Sequence, residues 1–249
     1  MGISIQMLGT GFAFSKKFYN TSALIRSKGY TLLIDCGYTT PKSLHDLDLQ
    51  PNDIDGIFIS HLHADHIGGL EEFAFRMKYS YLFDKKPTLF IPSTLRTPLW
   101  ENCLKGGLGI TNDKLDELDF YFEVVELEVG VRKEIYPALW LETFATQHIP
   151  GKDSYGLLID DLLLYSADAC FNQPLLEQMF NQRRCRYIMH DCQLTEPGIV
   201  HATLRDLLNL SEEMQKITYL MHYGDEMEEF IGKTGFMRFV NQHEIIHFS

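Results

Sequence analysis

Residues 61–66 read His-Leu-His-Ala-Asp-His, and they directly follow the apolar run Gly-Ile-Phe-Ile-Ser at 56–60. An apolar run of this length is typical of a short buried strand, so three imidazoles and a carboxylate lie together in the loop where the strand ends. Both groups are ligands of Zn²⁺, and in a loop they can converge on a metal pair without a helix to space them. A His-rich polar loop without metal is the weaker explanation, because the chain has only 10 His among 249 residues. We therefore interpret the segment as a metal site.

The hydrophobic pattern predicts an α/β protein with two sheets. The length of 249 residues, of which 45% are hydrophobic, fits one globular domain over 1–249. Helix and strand patterns that alternate in the C-terminal part are typical of a sheet with a helical outer layer. Strands are predicted at 3–8, 21–26, 30–35, 56–60, 118–127, 131–136, 138–146, 154–160, 161–166, 186–190 and 216–221, with Asp160-Asp161 turning a hairpin. Helices are predicted at 66–80, 93–105, 172–181, 201–210 and 224–232.

The charge of the chain argues against a large nucleic-acid surface. The formal net charge is −12, whereas binding to a duplex or to tRNA relies on many Lys and Arg contacts with phosphates. A small ligand is easier to reconcile with this charge. The five Cys form no C-x-x-C pair, and together with the absence of an N-terminal signal peptide this favours a reducing compartment. No apolar run approaches the length of a membrane span, so we expect no membrane partner and a cytoplasmic location.

Several motifs resemble one enzyme superfamily. The pattern His-x-His-x-Asp-His followed by Ile67-Gly68-Gly69 resembles the hydrolytic metallo-β-lactamase superfamily, and the resemblance extends from Leu-Gly-Thr-Gly at 8–11 to Leu-Met-His at 220–222. Within the superfamily the chain is most similar to the branch of tRNase Z and its cyclic-nucleotide phosphodiesterase relatives, which include the anti-Pycsar phosphodiesterases. The resemblance implies an αββα sandwich with the site along one rim of the sheets.

The resemblance also implies a set of metal ligands. Two ions would share a bridging carboxylate, and the ligands are His61, His63 and His148 for one ion, Asp65, His66 and His222 for the other, and Asp168 between them. Without thiolates these ligands suit two Zn²⁺ ions, and they also suit Mn²⁺. A pair of ions lowers the pKa of a shared water, and Asp65 is expected to accept a proton from that water.

Some of these positions have structural alternatives when they are taken singly. A His at a strand end, such as His148 or His222, is often structural, and Asp168 alone would suit a helix cap. Asp35, in Leu-Ile-Asp-Cys-Gly at 33–37, matches a buried carboxylate that orients a ligand His, and its alternative is a turn residue. The imidazole of His63 favours a hydrolase, because redox-active di-iron members of the superfamily commonly carry a carboxylate there.

A second pair of motifs predicts a proton donor. Tyr-Ile-Met-His-Asp-Cys at 187–192 and Val-His-Ala-Thr-Leu at 200–204 resemble tRNase Z segments that hold an acidic residue and a His. The resemblance implies that Asp191 fixes the tautomer of His201 and that His201 protonates the leaving oxygen. This chain has Asp where tRNase Z typically has Glu, so the shorter side chain must reach the His. The structural alternatives are a helix-cap contact for His201 and a buried hydrogen bond for His190.

Three classes of function follow from these motifs: a phosphodiesterase for small molecules, a tRNase Z-like 3′-processing endoribonuclease, and a non-catalytic metal-binding interaction module. The interval from His148 to Asp168 has room only for a hairpin, whereas the endonucleases carry a substrate-gripping arm there. A β-lactamase is disfavoured by the bridging Asp168. We expect a phosphodiesterase that hydrolyses 3′,5′-cyclic nucleotides. The aromatic segment 73–83 favours core or dimer packing, and because tRNase Z-like members pair through this region we expect a homodimer.

Overall fold

A computed structural model describes residues 2–79, 86–111, 114–183 and 185–249 of the chain. The strands are β1 Ile3–Gly9, β2 Ser22–Ser27, β3 Tyr30–Ile34, β4 Gly56–Phe58, β5 Thr88–Pro92, β6 Ile110–Thr111, β7 Lys114–Leu115, β8 Glu123–Leu127, β9 Lys133–Tyr136, β10 Leu139–Ala145, β11 Tyr155–Ile159, β12 Leu163–Tyr165, β13 Tyr187–Asp191, β14 Thr218–Met221, β15 Arg238–Phe239 and β16 Ile245–Phe248. The helices are α1 Thr40–Asp46, α2 Ala64–Ile67, α3 Leu70–Tyr79, α4 Ser93–Pro98, α5 Lys105–Leu108, α6 Leu118–Tyr121, α7 Gln173–Asn181, α8 Leu204–Leu207 and α9 Glu212–Lys216, with a π-helical segment Leu99–Leu104 and 3₁₀ turns at Pro51–Asp53 and Met227–Phe230.

Two seven-stranded sheets form the centre of the protein. Their strand orders are β16-β1-β2-β3-β4-β5-β8 and β15-β14-β13-β12-β11-β10-β9, and β6 and β7 form a separate small ribbon. In each large sheet an antiparallel part continues into a parallel part: β3, β4, β5 and β8 run parallel in the first, and β12 to β15 in the second. The carboxyl ends of neighbouring parallel strands therefore meet at one edge of each sheet.

Side-chain alternation along the strands builds two buried layers. In β11, Leu157 and Ile159 pack in a large cluster that joins the two sheets, whereas Leu158 packs in a second cluster with Leu176 and Met179 of α7. This period of two is what a strand buried on both faces requires. The large cluster also contains buried residues of α3 and α4, so helices cover the outer face of the first sheet as well. The layers are helix, sheet, sheet and helix, which confirms the αββα prediction.

Most predicted strands agree with the structure to within two residues at either end. The hairpin is confirmed: Asp160 and Asp161 both have positive φ, 52° and 54°, and β11 pairs antiparallel with β12. Helix 172–181 is confirmed as α7, and 93–105 is helical through α4, the π-helical segment and the start of α5. Strands β15 and β16, and the ribbon β6–β7, have no counterpart among the predicted strands. No helix in the described ranges is long and apolar enough to cross a bilayer.

The strand predicted at 118–127 is wrong in its first half. Helix α6 occupies Leu118–Tyr121, and β8 begins only at Glu123. Leu118 and Tyr121 are three residues apart and both buried, which is the spacing of one helical face, and the Tyr121 hydroxyl donates a hydrogen bond to Leu108 O at 2.9 Å. A run of apolar residues this short does not by itself distinguish a helix from a strand.

The helix predicted at 224–232 is also wrong, because only the 3₁₀ turn Met227–Phe230 forms. The side chain of Asp225 accepts hydrogen bonds from the backbone of Lys16 and Lys17, and Gly232 has a φ of +80° that ends helical geometry. The helix predicted at 201–210 is shortened to α8. Thr203 caps it by accepting from Asp206 N at 3.1 Å, so residues before Thr203 lie outside the helix.

The helix predicted at 66–80 is two helices. Helix α2 starts at Ala64 and α3 starts at Leu70, with Gly68 and Gly69 between them. The last residue of that prediction, Ser80, and residues 81–83 at the end of the aromatic segment lie outside the described residues. Within α3, Phe73 and Met77 are buried in the core, as the expectation of packing for this segment requires.

Candidate metal centre

The predicted ligands follow the carboxyl ends of strands. Residues 61–63 form the loop after β4, Asp65 and His66 lie in the short helix α2 that follows it, β12 leads to Asp168, and β14 leads to His222. A Cβ on Gly37 would lie 1.9 Å from Asp65 O, so glycine there lets the loop after β3 approach the histidine-rich loop. His222 and Asp35 both have positive φ, 60° and 58°, a conformation that non-glycine residues rarely adopt and that often marks functional sites.

One group of candidate ligands contains His61, His63, His148 and Asp168. One ligand atom from each lies within 4.8 Å of the others. The Nδ1 of His63 is 3.1 Å from His61 Nε2 and 3.2 Å from His148 Nε2. The Oδ2 of Asp168 is 3.7 Å from His61 Nε2 and 3.6 Å from His148 Nε2. Three imidazole nitrogens and a carboxylate oxygen thus surround one point, which suits a tetrahedral Zn²⁺.

A second group contains Asp65, His66, His222 and the same Asp168, again with ligand atoms within 4.8 Å of one another. The Oδ1 of Asp168 is 3.2 Å from His66 Nε2 and 3.2 Å from His222 Nε2. Asp65 Oδ2 is 3.3 Å from His66 Nε2. Asp168 therefore turns one oxygen to each group, which is the arrangement that a bridging ligand between two ions needs.

Unpaired buried atoms support the fit of metal ions to these groups. His66 Nε2, His222 Nε2 and Asp168 Oδ1 are buried without a hydrogen-bond partner among the described residues. Buried polar atoms without partners are costly, and these three converge on the second group, where a cation would satisfy them. The donor set of imidazoles and carboxylates without thiolate fits Zn²⁺ or Mn²⁺.

The electrostatics of the cluster favour bound positive charge. Burial opposes ionisation of Asp168, but the neighbouring His222 and His66 outweigh it and hold the pKa of the carboxyl well below its usual range. Burial also disfavours the charged form of His222, yet Asp168 and Asp191 raise its pKa to about 10. Burial lowers the pKa of His61 well below its usual range, so this imidazole stays neutral and keeps a lone pair for a ligand bond.

Hydrogen bonds to the Nδ1 atoms of three candidate ligands fix the tautomers of their imidazoles. His66 Nδ1 donates to Asp35 Oδ2 at 2.7 Å, and Ser60 Oγ donates to the same oxygen at 2.7 Å. Because Ser60 Oγ has given its proton to Asp35, it accepts from His61 Nδ1 at 3.0 Å. His148 Nδ1 donates to Val200 O at 2.8 Å. In each of these three imidazoles Nδ1 is engaged and Nε2 is left for the site. Ser60 carries no motif signal and was not among the predicted site residues.

The predicted proton-donor pair, Asp191 and His201, which we call the relay pair, is also in contact. His201 Nδ1 donates to Asp191 Oδ2 at 2.6 Å, so the shorter Asp side chain does reach the His. Asp191 is fully buried, accepts a second bond from Ala169 N at 3.0 Å, and its Oδ1 lies 3.4 Å from His222 Nδ1. Burial disfavours the charged form of His201, but the Asp191 carboxylate outweighs it and raises the pKa of this imidazole. His190 instead donates to Asp191 O at 2.7 Å, in keeping with the structural alternative.

The relay pair also belongs to a third group of possible ligands, Asp168, Asp191, His201 and His222. In this group the Nδ1 atoms of both imidazoles already face Asp191. The imidazole ring of His201 stacks on that of His222 with centroids 5.0 Å apart and lies 4.8 Å from that of His148, so it contacts one candidate ligand of each group. From this place His201 can hand a proton to a group bound between the two metal groups.

Two cavities flank the cluster. One of about 420 Å³ adjoins His61, His63 and His148, and Lys152 and Asn102 also line it. The other, of about 200 Å³, is lined by residues that include Phe12, Gln193, His201, His222 and Glu226. Phe12 and Glu226 lie 214 positions apart in the chain, and neither was among the predicted site residues.

Comparison with known proteins decides the family. A family model described as "Anti-Pycsar protein Apyc1" matches residues 3–246 of the chain. The chain belongs to this anti-Pycsar family. A protein named anti-Pycsar protein Apyc1 from Paenibacillus xerothermodurans is 53% identical and covers 100% of this chain and 99% of its own length. A protein of the same name from Bacillus phage BSP38 is 45% identical, covering 96% of this chain and 95% of its own length.

Solved structures confirm the fold. The metallo-β-lactamase fold protein YhfI from Bacillus subtilis has a TM-score of 0.74 at 14% identity and covers 99% of this chain and 100% of its own. A diphosphatase of the PhnP family has a TM-score of 0.77 at 16% identity, with 99% and 98% covered. The short form of human tRNase Z has a TM-score of 0.70 at 17% identity, with 98% of both chains covered. The predicted metallo-β-lactamase sandwich and its anti-Pycsar branch are both confirmed.

Proposed function

We propose that the protein is a metal-dependent phosphodiesterase that hydrolyses 3′,5′-cyclic nucleotides, including cyclic CMP and cyclic UMP, to nucleoside 5′-monophosphates and so counters Pycsar defence. The observation that carries the proposal is the pair of ligand groups that share Asp168 beside the Asp191–His201 pair. Membership of the anti-Pycsar family supports a metal-dependent hydrolase in this role. Two bound Zn²⁺ ions, or Mn²⁺ in their place, would lower the pKa of a shared water and neutralise the oxygens of the phosphodiester.

The chain's own residues would move the protons. Burial opposes ionisation of Asp65, but the neighbouring His222 and His66 outweigh it and hold the pKa of this carboxyl below its usual range, so it is a carboxylate at neutral pH. We assign to this carboxylate the acceptance of a proton from the water. His201 is held by Asp191 through Nδ1, which leaves Nε2 to donate to the leaving oxygen. Donation to the ribose O3′ leaves the phosphate on O5′, so the product is the 5′-monophosphate.

The local topology supports a small substrate over tRNA. Between His148 and Asp168 the chain forms only a turn and the hairpin β11–β12, without room for a substrate-gripping arm. The net charge of −12 would repel a polyphosphate backbone. A non-catalytic metal-binding module is disfavoured, because a scaffold without catalysis has no need for a hydrogen-bonded proton donor beside the ligand groups.

The proposal includes a single domain, a homodimer and a reducing compartment such as the cytoplasm. All five Cys are free thiols, which supports the reducing compartment. Tyr79, at the end of α3, keeps 51% of its surface exposed, which supports a role for the aromatic segment in pairing.

A substrate screen tests the proposal. Purified protein would be incubated with cyclic mononucleotides, a linear dinucleotide, a β-lactam and precursor tRNA, and the products would be separated by chromatography. We expect cyclic mononucleotides to be opened to 5′-monophosphates, and the activity to be lost with a chelator and restored by Zn²⁺ or Mn²⁺. Cleavage of precursor tRNA with no turnover of any cyclic mononucleotide would instead identify a tRNase Z-like endoribonuclease.

A further inference from the structure

The smaller cavity beside His201 has no role in the steps above. Its lining combines an aromatic ring, Phe12, with a carboxylate, Glu226. We propose that this cavity binds the nucleoside part of the cyclic nucleotide and that the base stacks on Phe12. The proposal rests on the proposed function and names the part of the site that would recognise the substrate.

The position of the proton donor determines on which side the nucleoside lies. His201 lines the smaller cavity, whereas the larger cavity is lined by His61, His63 and His148. The leaving oxygen that His201 protonates is an oxygen of the ribose. The ribose and its base are covalently joined to that oxygen, so they occupy the cavity on the His201 side of the ligand groups.

The chemistry of the two linings agrees with this assignment. Apart from imidazoles, the larger cavity has no aromatic ring among its described lining residues, and its charged side chains, Lys152 and Asp153, are of opposite sign. The smaller cavity has the Phe12 ring and the carboxylate of Glu226, with no Lys or Arg among its described lining residues. A carboxylate accepts hydrogen bonds and repels phosphate, so it suits the ribose hydroxyl and the N–H groups of a base.

Phe12 is held in place by the backbone on both sides. Its N–H donates to Tyr223 O at 3.1 Å, directly after the candidate ligand His222, and the Tyr38 hydroxyl donates to Ala13 O at 2.6 Å. The ring of Phe14 packs edge-to-face on Phe12 with centroids 5.7 Å apart and planes at 87°. The Phe12 ring therefore has a fixed place beside the second ligand group.

The carboxylate of Asp225 holds the rest of the loop that carries Phe12, at residues 15–17. Asp225 accepts hydrogen bonds from the Ser15 hydroxyl, from Lys16 N at 2.9 Å and from Lys17 N at 2.9 Å. The loop also closes tightly at Gly11, where a Cβ would come within 2.7 Å of Ser15 Cβ. A surface that is ordered before the ligand arrives costs less to bind against, so the loop presents Phe12 as a preformed platform.

Base stacking on an aromatic ring tolerates every base, because each base has a π-face. A Phe12 platform therefore predicts an enzyme that accepts both pyrimidine and purine cyclic nucleotides, with the larger purine ring gaining more from the stack.

The test compares Phe12→Leu with the wild-type protein on cyclic CMP, cyclic AMP and methyl p-nitrophenyl phosphate, a diester without a base. We expect Phe12→Leu to raise KM for the cyclic nucleotides roughly 5- to 100-fold, with the larger increase on cyclic AMP, and to change kcat/KM for the base-free diester less than about twofold. Phe12→Tyr keeps the ring and should recover most of the loss. Phe236→Leu removes an exposed ring outside both cavities and should change neither substrate.

Two results with Phe12→Leu would overturn the proposal. An equal loss on the base-free diester would mean that Phe12 supports the fold of the loop, and an unchanged KM for cyclic nucleotides would mean that the base binds elsewhere; either result overturns the proposal while the phosphodiesterase activity of the wild-type protein stands. If the wild-type protein cleaves the diester but no cyclic nucleotide, both this proposal and the proposed function are wrong.

Discussion

Replacing His201 with Ala gives a direct test of the proton donor. The imidazole is tied to Asp191 by a 2.6 Å hydrogen bond and lies beside the second ligand group, so its loss removes general acid catalysis and leaves both four-residue groups that share Asp168 with His61 or His66 in place. General acids contribute roughly 10²- to 10⁴-fold to rate. We expect kcat for a cyclic nucleotide to fall by that factor, which corresponds to about 3 to 5 kcal/mol of transition-state stabilisation.

The measurement depends on the basicity of the leaving group. A ribose alkoxide needs a proton as it departs, whereas p-nitrophenolate does not, so His201→Ala should slow the cyclic nucleotide far more than a nitrophenyl diester. His45→Ala, at an exposed His outside the site, is the matched control and should change neither rate. Equal losses on both substrates, or a fall in bound metal in His201→Ala, would refute the role of proton donor and indicate that His201 positions substrate or binds an ion.

Four further predictions follow from the same geometry. Burial lowers the pKa of His201 but Asp191 raises it by more, so the imidazole stays protonated to a higher pH than an ordinary His. The kcat for a cyclic nucleotide should therefore fall only as the pH rises through this raised pKa, and Asp191→Asn should move the fall to lower pH. Elemental analysis should find about two metal ions per chain, and Asp168→Ala should lose ions and abolish hydrolysis of both substrates, whereas full activity with one ion would rule out a bridging Asp168. Asp35→Asn should weaken metal affinity roughly 10- to 100-fold in a chelator titration, because the carboxylate that orients His66 is lost, and an unchanged affinity would contradict this. Sedimentation should show a homodimer, and a monomer at all concentrations would remove that part of the proposal.

The sequence by itself determined the parts of the protein that depend on neighbouring residues. The segment 61–66 concentrates three imidazoles and a carboxylate in six consecutive residues, so no tertiary contact was needed to recognise it. The Asp160-Asp161 turn and the apolar runs around it predicted a hairpin, since a hairpin pairs residues that are close in the chain. The αββα architecture and the remoter candidate ligands came from family resemblance, because no local pattern connects His148 or His222 to the loop at 61–66.

Tertiary structure alone decided how distant groups serve one another. Ser60 Oγ donates to Asp35 and accepts from His61, so it links the two residues. Asp191 faces His222 because β13 and β14 lie side by side in register, and the chain after β13 returns His201 to the same carboxylate. The same reason explains the errors. Residues 224–232 have a helical pattern, but Asp225 is drawn to a loop 209 positions away at Lys16, and long-range contacts of this kind leave no periodic trace in the sequence. Phe12 is likewise held beside the candidate metal centre by a hydrogen bond to Tyr223 O, so only the folded chain reveals its place.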